Sequence, residues 1–99
     1  HMGLEKSWQF ANITTATTTT VKAGAGILKS IIFNKRVVSG VITIYDNTAA
    51  SGTKIGTITL GAALLTDPPQ TVNYEVAFGT GLTIVTSAAE DLTVIYAGI

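Results

Sequence analysis

VITIYDNTAASGTKIGTITL, residues 41–60, decides the fold. Val41, Ile42, Thr43, Ile44 and Tyr45 form one β-branched run, and Ile55, Thr57, Ile58, Thr59 and Leu60 form another. Such side chains fit a pleated, half-buried surface better than a helix, where branching at Cβ crowds the preceding turn. Between the runs lie Asp46, Asn47, Thr48, Ser51 and Gly52, which bend the chain through local hydrogen bonds and glycine's access to positive φ. The stretch predicts an antiparallel hairpin.

Working outward, residues 27–35 (ILKSIIFNK) predict a strand with Ile27, Ile31 and Phe33 on one face and Leu28 and Ile32 on the other. Apolar residues on both faces suit a central or interface strand. Before it, residues 14–20 (TTATTTT) hold six threonines in seven positions, a composition that favours extended chain running into Val21. After the hairpin, residues 61–65 read as loop. Residues 66–70 (TDPPQ) read as irregular, because Pro68 and Pro69 fix φ and lack donors. Val72, Tyr74, Val76 and Phe78 then alternate with Asn73, Glu75 and Ala77, the cleanest period-two pattern in the chain. A turn at Gly79, Thr80 and Gly81 leads to a strand over 82–86, and Ser87 to Asp91 turn the chain into a last strand over 92–97.

Valine, isoleucine and threonine supply 36 of the 99 residues, and no amphipathic helix emerges. Seven or eight short strands with turns every 8 to 12 residues predict an all-β, antiparallel β-sandwich, jelly-roll-like. His1, Met2 and Gly3 read as the remnant of a cleaved expression tag. Residues 4–99 then make one domain, with 4–20 as a candidate N-terminal arm carrying Trp8 and Phe10. The alternative is that these two aromatics belong to a first strand of the domain's own core.

Composition narrows the function classes. The net charge is zero, and 12% of residues are charged against 46% hydrophobic, so no field draws the chain to nucleic acid or an anionic membrane. Lys35 and Arg36 are the one adjacent basic pair, too little for a nucleic-acid surface. Apolar runs fall far short of the roughly 20 residues of a membrane-spanning helix. With no cysteine, disulfides and thiolate chemistry are excluded. The lone histidine is His1, so nucleophilic catalysis of the Ser/His/acid type has no base.

The carboxylates Glu5, Asp46, Asp67, Glu75, Glu90 and Asp91 mostly lie in or beside turns, where acidic residues bond local backbone, and they form no recognisable pair for general acid–base work. Asp46 to Thr48, or Glu90 with Asp91, offer oxygen ligands without the spacing of a calcium loop. The glycines around Ala25 lack the following helix that a dinucleotide fingerprint requires. The expectation is therefore no enzyme and no cofactor. A rival class is a carbohydrate- or receptor-binding module, in which Tyr45, Asp46 and Asn47 at the hairpin tip form the ligand loop.

In three stretches, ANITTATTTTVKAGAGILKSIIFN, VITIYDNTAASGTKIGTITL and FGTGLTIVTSAAEDLTVIYA, the chain resembles short virion structural proteins of tailed bacteriophages and prophages. The resemblance spans residues 11–97 and rests on sandwich strands and turns, so it transfers no site residue. It implies a capsid decoration protein or a head, tail spike or fibre module in the virion, with a capsid or tail protein as partner. The low surface charge agrees with copies that cover one another. The expected unit is a homo-oligomer, a trimer favoured, with Trp8, Phe10, Ile13, Leu28 and Ile32 as contacts.

Overall fold

The computed structural model describes residues 7–61 and 70–99. Eight strands run β1 (Gln9–Ile13), β2 (Thr18–Ala23), β3 (Gly26–Lys35), β4 (Val41–Asp46), β5 (Thr53–Thr59), β6 (Gln70–Phe78), β7 (Gly81–Thr86) and β8 (Asp91–Gly98). The 41–60 stretch is a hairpin, with Ile42 opposite Ile58 and Thr43 opposite Thr57. Around it the pairing is nested: β3 pairs with β6, β2 with β7 and β1 with β8, all antiparallel. The ribbon is also rolled, so that β3 meets β8 and β4 meets β7. The result is two four-stranded sheets, ordered β1-β8-β3-β6 and β2-β7-β4-β5. This all-β sandwich has the strand order of a jelly roll.

Alternation along the strands builds the core. Ile42 and Ile44 of β4, Leu82 and Ile84 of β7, Leu28 and Ile31 of β3, and Leu92 and Val94 of β8 are fully buried between the sheets. Each such side chain contributes about 1.5–3 kcal/mol relative to exposure. Threonine hydroxyls that reach the interior find partners. Thr86 Oγ1 accepts from Thr17 N at 3.0 Å and donates to Thr15 O at 2.7 Å, which fastens the threonine run onto β7.

Three sequence expectations are corrected. The 4–20 segment is not a free arm where it is described, since Gln9–Ile13 and Thr18–Ala23 are strands of the chain's own sheets. Leu28 does not share a face with Ile32. A β-bulge between Leu28 and Ser30 inserts Lys29 and reverses the alternation, turning Leu28 inward to join Ile31. Gln70 is not irregular but opens β6. The loop expected over 61–65 and the prolines of 66–70 lie otherwise outside the described residues, apart from Gly61.

Two glycines show how tightly the sandwich closes. A Cβ on Gly26 would stand 2.5 Å from Ala97 O and 2.6 Å from the Phe78 ring, whereas one on Gly79 would meet nothing within 4 Å. Gly26→Ala should therefore destabilise the fold by about 1–3 kcal/mol through overpacking, and Gly79→Ala should leave it nearly unchanged. Urea unfolding checks both: the midpoint falls for the first variant alone, with the slope unaltered.

Candidate functional site

The hairpin tip is an internal latch. Asp46 ends β4, and its carboxylate receives backbone N–H groups of the turn joining β6 to β7: Thr80 N at 2.8 Å, Gly79 N at 3.0 and 3.1 Å, and Gly81 N at 3.3 Å. These donors hold the Asp46 carboxyl below its ordinary value of 3.8, the Gly79 and Thr80 bonds acting most strongly. A carboxylate surrounded by N–H donors is poorly placed to coordinate a cation. Asn47 is occupied as well: Nδ2 donates to Ser51 O at 2.7 Å and Oδ1 accepts from Thr48 N at 2.8 Å, forming the turn that Gly52 completes at φ 87°. The Thr83 hydroxyl donates to Asn47 O. Tyr45 is half-buried between Lys54 and Thr83 in the ladder. Of the expected ligand loop, two side chains are thus committed to holding the loop itself.

The other carboxylates do not converge. Asp91 accepts the side-chain amides of Asn12 at 2.8 Å and Asn34 at 3.2 Å, tying β1, β3 and β8 at one end. Glu75, exposed on β6, adopts φ 54°. Glu90 is 1% exposed, and neither carboxylate oxygen has a hydrogen-bond partner. Its Oε2 lies against Gly40, where a Cβ would collide with it. Desolvation raises its pKa above 4.5. Glu5 and Asp67 lie outside the described residues. Among the described residues, no three His, Cys, Asp or Glu side chains gather in a metal-binding group.

The expected contact residues separate into two sets. Ile13 and Leu28 are 5% and 0% exposed and belong to the chain's own core, so they cannot meet a neighbour. Trp8, Phe10 and Ile32 lie outside it. On the outer face of the β1-β8-β3-β6 sheet, Phe10 stands beside Ile95, Ile32 beside Thr93 and Thr71, and Ile27 between Ala97 and Ala77. Phe10 is 71% exposed and Trp8 47%, with the Lys29 ammonium 5.1 Å from the indole centroid. The bulge at Lys29, which no periodicity announces, puts Ile27 on this face in place of Leu28.

Two carboxylates give opposite pH signatures. Asp46, depressed in the fold, contributes stability above its ordinary pKa of 3.8 that is lost as pH falls below it. Asp46→Asn should be less stable than the parent at pH 7, and the difference should shrink toward pH 3. Glu90, raised in the fold, is best tolerated below 4.5, and stability falls as pH rises from there through its elevated pKa. Glu90→Gln should match the parent below pH 4.5 and exceed it at pH 8. Urea midpoints across pH 3–8 measure both, and a Glu90→Gln variant weaker than the parent at pH 8 would refute the second.

No family model and no curated protein matches the chain. Among solved structures, a chain in the structure of infectious bursal disease virus Gt strain aligns over 96% of this chain at 17% identity, with a TM-score of 0.30. This chain spans 29% of that one, and at such a score the likeness carries no weight for function.

Proposed function

We propose that the chain is a non-enzymatic virion structural protein of the tailed-phage type, a capsid decoration protein or a head, tail spike or fibre module, and that it works by assembling with copies of itself and with a capsid or tail protein. The observation that carries this reading is the outer face of the β1-β8-β3-β6 sheet, where Trp8 and Phe10 stand exposed beside Ile95, Ile27 and Ile32. Exposed aromatic surface rimmed by polar residues is characteristic of interaction sites, and Asn12, Asn34, Asn73 and Thr71 rim this one. The low charge of the whole chain supports burial of large surfaces between subunits. The sequence resemblance supports the virion as its place, and the jelly roll is an architecture that capsid domains use.

Lectins use the same architecture, so the fold does not distinguish assembly from glycan binding. The hydrogen bonds at Asp46 and Asn47 count against the second, because a ligand there would have to break the latch. Light scattering over a hundredfold range of concentration tests the proposal: a defined oligomer is expected, together with flat binding on a glycan array. A monomer at every concentration that binds one glycan class, lost in Tyr45→Ala, would overturn it.

A further inference from the structure

The two sheets have four edge strands, and three of them are defended against pairing with another chain. Edge strand β2 has a register shift between Thr20 and Lys22, with a lysine at the break. On β5, Ile55 is extra opposite the Ile44–Tyr45 step, and Lys54 precedes it. β6 is broken opposite Leu28 and Ser30, where Glu75 is turned to φ 54°. Bulges and charges of this kind twist an edge away or make a second strand costly to add.

The fourth edge, β1, has none of these devices. Its five residues, Gln9, Phe10, Ala11, Asn12 and Ile13, pair with β8 in unbroken register and include no charge, proline or glycine. Phe10 projects from it, and Trp8, just before the strand, is also exposed. Resting on the assembly reading above, we infer that β1 is the edge through which two copies join: β1 of one chain pairs antiparallel with β1 of the other, making one eight-stranded sheet across a two-fold axis.

Three points support a second copy as the occupant. An uncharged strand meets its own copy without like-charge repulsion across the ladder. Each chain has one undefended edge, so the edge pairs with its equal, and such an isologous contact closes at two. Apolar surface at the strand is the third point. Trp8 and Phe10 together expose about 250 Å² of aromatic surface, near a third of the roughly 800 Å² per partner of a standard interface, and the backbone ladder along the strand edge adds to it. The sequence favours a trimer, but β1 pairing builds a dimer.

The test is solution mass by light scattering for the parent, Phe10→Lys and Thr57→Lys, the last placing the same charge on the already defended β5 of the other sheet. Both sites are exposed, and circular dichroism checks that the variants fold. The expected result is a dimer for the parent and Thr57→Lys, and at the same concentration a mass halved for Phe10→Lys. An oligomer that survives Phe10→Lys would overturn the β1 pairing and leave the assembly reading standing. A parent that is monomeric throughout would overturn both. Hydrogen exchange on the unaltered chain gives a second readout: dilution should accelerate exchange selectively in residues 9–13, and exchange there that is independent of concentration would refute the inference.

Discussion

Strand pairing nested about the β4–β5 hairpin is the constraint on which the rest of this structure depends. Once β4 and β5 pair, each earlier strand finds its nested antiparallel partner later in the chain, from β3 with β6 out to β1 with β8. Register then fixes which side chains enter the core, because a slip of one residue would reverse every face. Where lengths do not match, bulges absorb the difference. The same nesting determines which strands end the sheets, and hence which surfaces are left for other molecules.

Polar groups at the two ends of the sandwich meet different conditions. Asp46 lies where the hairpin end reaches the β6–β7 turn, and its oxygens satisfy N–H groups that would otherwise face the rim unpaired. At Glu90 a carboxyl is sealed against Gly40 with nothing to bond, an arrangement that the fold tolerates most easily when the group is neutral. One acid strengthens the fold as it ionises and the other weakens it. Between their two titrations both acids are in the state that their surroundings favour.

Much of the architecture was legible from side-chain type and spacing. The β-branched runs of the hairpin and the Val72-Tyr74-Val76-Phe78 alternation correspond to β4, β5 and β6, because local pattern and tertiary environment agree there. Strand β3 reads wrongly in its first half, since a bulge at Lys29 is set by the partners β6 and β8 and leaves no trace in the strand's own periodicity. Ile13 looks like any aliphatic residue beside Phe10, yet they point to opposite faces. The roles of Asp46 and Glu90 were hidden for a similar reason: Asp46 ends β4 and Glu90 lies between β7 and β8, and only the residues brought near by folding make one a latch and the other an orphan. The undefended edge needed the topology as well, since QFANI is unremarkable until β1 is known to end a sheet.

Nested pairing also dictates an order of events in time. Asn12 bonds Asp91 across 79 residues of chain, so the outermost ladder closes the longest loop, while the central hairpin closes a short one. A fold dominated by such distant pairings forms slowly, on the order of milliseconds to seconds. During synthesis β1 emerges first and waits longest, its aromatic residues exposed until β8 arrives. A growing chain in this state exposes an unpaired strand edge, the kind of surface through which partly folded chains aggregate.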